Sequence, residues 1–124
     1  MVLLSNNYTH VAFTFDAATP ENAAEVRSRL TATGAYIEVE QEAGNLLITS
    51  EEADVSLLAE TLRDALQAMG DIPSPQGFEW ACSADKHRVG DFGGGAVVLR
   101  RGQDQINFID TAAWLKSELS DKSA

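Results

Sequence analysis

The densest group of side chains capable of chemistry lies in a glycine-rich segment, residues 85–95. It combines two aspartates and three possible cations with four glycines, which let a backbone approach a ligand closely and present N–H groups to an anion. This composition indicates a candidate phosphate or nucleotide site whose contacts would be Lys86, His87, Arg88, Gly93, Gly94 and Gly95. The spacing matches neither the P-loop nor the dinucleotide fingerprint, so a flexible connection between strands is the simpler interpretation.

A row of carboxylates is the second chemical feature. Glu38, Glu40 and Glu42 occupy alternate positions of a segment whose pattern predicts a strand. Side chains two apart on a strand share a face, roughly 6.6 Å from one another, so the three charges repel. Such a row protects an edge strand against aggregation, and it also suits contact with a basic groove built for nucleic acid. The candidate partner-binding residues, with the acidic residues expected at the same end, are Glu38, Glu40, Glu42, Glu51, Glu52 and Asp54.

Catalysis receives little support. Cys82 and His87 could act as nucleophile and base, but Cys82 alternates with Phe78 and Trp80 and therefore faces the predicted core. The two histidines are far apart in sequence and there is no cysteine pair, so no metal site is predicted. The sequence predicts no cofactor and favours a protein that is not an enzyme.

Alternating apolar positions predict strands, and apolar positions spaced by three and four predict helices. Capping residues and turn signals separate these segments. The predicted elements are strand 8–16, helix 20–33, strands 35–42 and 46–49, a helix that starts between 51 and 55 and ends before 70, strand 78–83, strands 96–100 and 105–109, and helix 111–119. Trp80 and Trp114 are expected to pack in the core or at its rim.

The first six elements follow the order β-α-β-β-α-β, which is the ferredoxin-like pattern. We therefore expect an α+β fold, with an antiparallel sheet carrying both helices on one face, extended by a C-terminal β-hairpin and helix. The predicted single domain, 1–124, consists of a βαββαβ core at 8–84, the loop 85–95 and the hairpin plus helix at 96–119, with frayed ends at 1–7 and 120–124.

The net charge of −10 is unevenly distributed along the 124 residues. Ten acidic and two basic residues up to position 60 give −8, and nine acidic and seven basic residues after it give −2. Direct binding to nucleic acid or to an anionic membrane is disfavoured, since both need basic surface. With one cysteine, no signal-peptide pattern and no long apolar run, the expected location is the cytoplasm.

These observations favour a non-enzymatic acidic binding protein that masks a basic surface of a protein partner. An inhibitor or immunity-type protein acting on a nucleic-acid-binding partner or complex belongs to this class. The alternative is a small-molecule or nucleotide-binding regulatory domain that uses the loop 85–95. Possible edge strands at 37–39 and 96–99 leave association into a homo-oligomer open.

Overall fold

The computed structural model describes residues 7–34, 36–84 and 93–120. Within them the chain forms an α+β fold with one six-stranded antiparallel sheet and three helices. The elements are β1 (Asn7–Asp16), α1 (Pro20–Ala32), β2 (Glu38–Glu42), β3 (Asn45–Ser50), α2 (Val55–Ala68), β4 (Gln76–Ala84), β5 (Gly93–Leu99), β6 (Asn107–Asp110) and α3 (Thr111–Ser120). The strands lie in the order β2-β3-β1-β4-β5-β6. The predicted α+β class and the predicted order of elements are confirmed.

Helices α1 and α2 begin at the residues that the sequence marks as caps. The hydroxyl of Thr19 accepts a hydrogen bond from the N–H of Asn22 (3.1 Å). The carboxylate of Asp54 accepts one from the N–H of Leu57 (3.0 Å). Each bond satisfies a backbone donor that has no partner inside its helix. Gly34 follows α1 with a φ of 71°, a left-handed conformation that favours glycine where a helix ends.

The core lies between one face of the sheet and the helices α1 and α2. In β1, Val11 and Phe15 are buried, whereas Ala12 and Thr14 are exposed. This alternation directs the apolar side chains of β1 toward the helices and leaves the other face to water. The helices contribute these buried residues: Ala23, Val26, Leu30, Leu58, Ala59, Leu62, Ala65 and Leu66.

The connection between β5 and β6 is anchored on α2 by a half-buried arginine. The Arg101 guanidinium donates hydrogen bonds to the backbone carbonyls of Leu66 (2.8 Å), Met69 (3.0 Å) and Ile72 (2.5 Å). These carbonyls lie in the last turn of α2 and just beyond it, where acceptors lack intrahelical donors and a positive charge is favoured. The hairpin therefore extends the sheet beyond β4 while its connection stays attached to the helical side.

Helix α3 contributes nothing to the core, since all ten of its residues are exposed. Trp114 is 58% exposed, so the prediction that it packs in the core or at its rim is wrong. The same prediction is confirmed for Trp80, which is half-buried and packs against the core. The apolar spacing of α3 was sufficient to predict a helix, but it could not show whether any neighbour covers the apolar side.

Element boundaries differ from the prediction where strand pairing extends a segment. β5 begins at Gly93, inside the predicted loop 85–95, because β4 is long enough for Cys82 to pair with it. β2 begins at Glu38 rather than at position 35, because its ladder with β3 starts there. Asn7 and Ser120, predicted to fray, belong to β1 and α3.

Candidate functional site

The face of the sheet opposite the helices is open to solvent. Glu38 lies directly opposite Thr49, and Glu40 lies opposite Leu47. Residues directly opposite in an antiparallel pair share a face, and this face is exposed, with Leu47 43% accessible. In the part of the chain that the structure describes, α1 and α2 pack only into the core on the other face.

Five carboxylates share this open face. Glu42 lies opposite Asn45, which in turn lies opposite Asp16, so Asp16 stands two strands from Glu42 at roughly 9.6 Å. Glu79 follows the buried Phe78 in β4 and is itself exposed, which places it on the same face. The strands contribute no lysine or arginine to this face. We call this set the acidic face: Asp16, Glu38, Glu40, Glu42 and Glu79.

Among the described residues, the arginines of α1 and α2, together with Arg101, lie on the helical side of the molecule. Arg29 forms an ion pair with Glu25 in α1 (3.1 Å), and Arg63 forms one with Asp64 in α2 (3.3 Å). The guanidinium of Arg101 donates hydrogen bonds to backbone carbonyls at the end of α2. Among the described residues, no basic side chain lies within ion-pair distance of the acidic face. In the described part of the chain, the helical side therefore has mixed charge, whereas the strands give the open face of the sheet only negative charge.

Two further glutamates flank one end of the acidic face. Glu51 and Glu52 follow β3 and, with Glu38, line a depression of about 690 Å³ beside Tyr36, which is 77% exposed. Their backbone is held by β1, because the N–H of Thr9 donates a hydrogen bond to the carbonyl of Glu51 (3.0 Å). The structure thus brings Glu51 and Glu52 close to Glu38, in agreement with the expectation that they share one end of the molecule.

Asp54 stands apart from the other candidate partner-binding residues. Its carboxylate caps α2 through the N–H of Leu57. It lines a different groove, of about 400 Å³, whose other residues include Trp80 and Phe108. The local structure therefore gives Asp54 a role in beginning a helix, and we do not include it in the acidic face.

The glycines of the alternative ligand site lie in a paired strand. A Cβ on Gly94 would lie 2.4 Å from the carbonyl oxygen of Trp80. A Cβ on Gly95 would lie 1.9 Å from the carbonyl oxygen of Ile109 and 2.6 Å from the indole of Trp80. Close packing between strands thus accounts for both glycines without a ligand. The basic part of that site lies outside the described residues, so the alternative stays a prediction: Lys86, His87 and Arg88.

One polar pair on the open face was not anticipated from the sequence. His10 Nε2 and Ser83 Oγ lie 2.9 Å apart, joining β1 to β4, although the residues are 73 positions apart. A serine beside a histidine resembles part of a nucleophilic site, but such a site also needs a group that orients the histidine. No carboxylate in the described part of the chain contacts His10. The pair is therefore a cross-strand hydrogen bond. Cys82, which precedes Ser83 in β4, is a half-buried free thiol.

No cluster of three metal-ligating side chains occurs among residues 7–34, 36–84 and 93–120. In those same residues, none of the helices has the length and apolar character required to cross a bilayer. Comparison with protein-family models, with curated proteins and with solved structures gives no match to this chain.

Proposed function

We propose that this chain is a non-enzymatic binding protein whose acidic face masks a basic surface of a protein partner. One observation carries the proposal: five carboxylates share an uncovered sheet face to which the strands contribute no lysine or arginine. A face of one sign raises the local concentration of oppositely charged partners and accelerates their association. The net charge of −10 acts in the same direction at long range.

The spacing of the carboxylates suits a partner that normally binds nucleic acid. Along β2 the three glutamates repeat at roughly 6.6 Å, and Asp16 lies roughly 9.6 Å from Glu42 across the sheet. A groove that grips a phosphate backbone presents lysines and arginines in extended rows. An array of carboxylates on one sheet face can pair with several such side chains at once, because guanidinium groups bind carboxylates and phosphates with similar geometry. Occupying the groove would exclude nucleic acid, which is the action of an inhibitor or immunity-type protein.

The scaffold of the proposed site is a ferredoxin-like unit formed by the first four strands and two helices. The support is the strand order β2-β3-β1-β4 within the larger sheet, with α1 and α2 on one face. Because α1 and α2 pack into the core on one face, neither helix covers the opposite face of these four strands, and the carboxylates there can reach one partner. Strands β5 and β6 continue the sheet beyond that unit.

The proposal is tested with two triple variants that change the net charge equally. In the first, which we call the face variant, Glu38, Glu40 and Glu42 are replaced by glutamine. In the second, which we call the helical variant, three exposed glutamates of α1 and α2 are replaced by glutamine: Glu21, Glu25 and Glu60. Each variant and the unmodified chain are immobilised, and proteins are captured from lysate of the cells that encode the chain, at low and at high salt. We expect a basic protein that is retained by the unmodified chain and by the helical variant, and released by salt.

The decisive comparison is the face variant. The face variant should no longer retain the captured partner. In a fluorescence competition assay, the unmodified chain should displace nucleic acid from that partner, whereas the face variant should not. Equal retention by both triple variants would show that net charge, not the acidic face, attracts the partner. Capture that is indifferent to salt would contradict an electrostatic contact altogether.

A further inference from the structure

Exposed apolar side chains are concentrated at the C-terminal end of the chain. Of the seven large hydrophobic residues that are exposed in the described part of the chain, five lie between positions 108 and 119. Their exposed fractions range from 42% to 66%, and they are Phe108, Ile109, Trp114, Leu115 and Leu119. Phe108 and Ile109 point to opposite faces of β6, because they lie opposite Val97 and Ala96, which are successive residues of β5. Apolar side chains therefore flank the outer edge of the sheet on both faces.

The two edges of the sheet are built differently. β2, at one edge, carries three glutamates on alternate positions, a device that prevents a strand from pairing with a copy of itself. β6, at the other edge, carries one charged residue, Asp110, whose carboxylate accepts a hydrogen bond from the N–H of Ala113 (3.0 Å) at the start of α3. Among the described residues only β5 pairs with β6. The β6 edge therefore lacks the protection that β2 has.

Charge also distinguishes the two edges of the sheet. Residues 38–54 contain six carboxylates and no basic residue, whereas β6 and α3 contain Asp110, Lys116 and Glu118, a net charge of −1. Two copies that meet along β6 would form a continuous sheet of twelve strands, which places their β2 strands roughly 50 Å apart. That separation is many times the Debye length of about 8 Å at physiological salt. Association at β6 thus brings together the parts of two acidic chains that repel one another least.

The exposed apolar area matches what a symmetric dimer requires. From their exposed fractions, the five side chains present roughly 500 Å² of surface per chain. A standard interface buries about 800 Å² per partner, and about 65% of a homodimer interface is apolar, which corresponds to about 520 Å². The C-terminal segment therefore has enough apolar surface for such an interface without recruiting another part of the molecule.

We propose that β6 and α3 form the interface of a twofold-symmetric dimer of this chain, in which the β6 strands pair antiparallel and the α3 helices bury Trp114, Leu115 and Leu119 between the protomers. Antiparallel pairing of identical strands satisfies a twofold axis, so the interface closes and does not propagate into fibres. With that axis perpendicular to the sheet, both acidic faces lie on the same side of the dimer. The inference depends on the exposed edge and helix, not on the proposed function.

Sedimentation equilibrium of the full chain between about 1 µM and about 100 µM should show a monomer–dimer equilibrium. Replacing Leu115 and Leu119 together by lysine should raise the dissociation constant by at least ~100-fold, since charge at an interface centre is costly. Ile109→Lys should weaken the dimer independently through the β6 edge. Leu47→Lys is the matched control, because Leu47 is an exposed apolar residue on the acidic face, and it should leave the dimer intact. Added salt should strengthen the dimer by screening two acidic protomers.

All these positions are exposed in the protomer, so circular dichroism and thermal unfolding should show that each variant folds. An unmodified chain that is still monomeric at about 100 µM overturns the proposal. A dimer that survives both the double lysine variant and Ile109→Lys overturns it as well. If the chain is monomeric but binds vesicles of neutral phosphatidylcholine through Leu115 and Leu119, the segment serves a membrane instead of a second copy, and the proposal is wrong.

Discussion

Replacing Glu38, Glu40 and Glu42 by glutamine should stabilise the fold while it abolishes partner binding. The three side chains are exposed, and in the described part of the chain no basic group pairs with them. Among the described residues, folding therefore gathers like charges without a basic group that compensates them. A surface kept for binding commonly lowers stability in this way.

The expected gain follows from the pairs of charges that folding brings together. Repulsion between neighbours along β2 largely cancels, because an unfolded chain also holds residues two apart at similar spacing. Three pairs remain: Glu42 with Asp16 across the sheet, and Glu38 with Glu51 and with Glu52 around one depression. At roughly 10 Å in water each pair costs about 0.4 kcal/mol before screening. Screening reduces the total to about 0.4 kcal/mol at 0.15 M salt and to about 0.9 kcal/mol at 0.01 M.

Scanning calorimetry at the two salt concentrations measures this directly. The triple variant should melt about 1–2 °C higher at 0.15 M salt and about 3–4 °C higher at 0.01 M. The helical variant, in which Glu21, Glu25 and Glu60 are replaced by glutamine, should be less stable than the unmodified chain. Its free energy of unfolding should fall by about 1 kcal/mol. Glu21 favours the positive end of α1, and Glu25 pairs with Arg29. If both triple variants shift the melting temperature alike, net charge alone governs the effect and the gathering of charge on one face is refuted.

Three single substitutions test the scaffold by urea unfolding. Arg101→Met should lower the free energy of unfolding by about 2–3 kcal/mol, because it leaves three carbonyls near the end of α2 without their donor. Its control is Arg100→Met at the exposed neighbouring position, which should change the free energy of unfolding by less than about 0.5 kcal/mol. Gly95→Ala should cost at least about 2 kcal/mol, since its Cβ would overlap a backbone carbonyl and an indole ring; Gly70→Ala, with nothing within 4 Å, should be close to neutral. Asp54→Ala should cost about 1 kcal/mol through loss of the α2 cap and should leave partner binding unchanged; a loss of binding at unchanged stability would restore Asp54 to the docking surface.

The site could be predicted in part from the sequence. Alternation in β2 is a local property, so it was enough to place Glu38, Glu40 and Glu42 on one face. Asp16 and Glu79 were missed, although each occupies an exposed position of an alternating strand. Their membership of the same face depends on which strands are neighbours and in what register, and those pairings join residues far apart in the chain. The proximity of His10 to Ser83 was hidden for the same reason.

The amino-acid sequence by itself determined the order and type of the elements, the helix caps and the absence of an intramolecular disulfide, because each of these depends on neighbouring residues or on composition alone. Only the tertiary structure decided which face of the sheet is open, that Gly93 to Gly95 begin a strand, and that α3 keeps its apolar side exposed. Those outcomes depend on long-range pairing and on whether a neighbour is present to cover an apolar surface. Local periodicity can predict that an apolar side exists, but it carries no information about what packs against it.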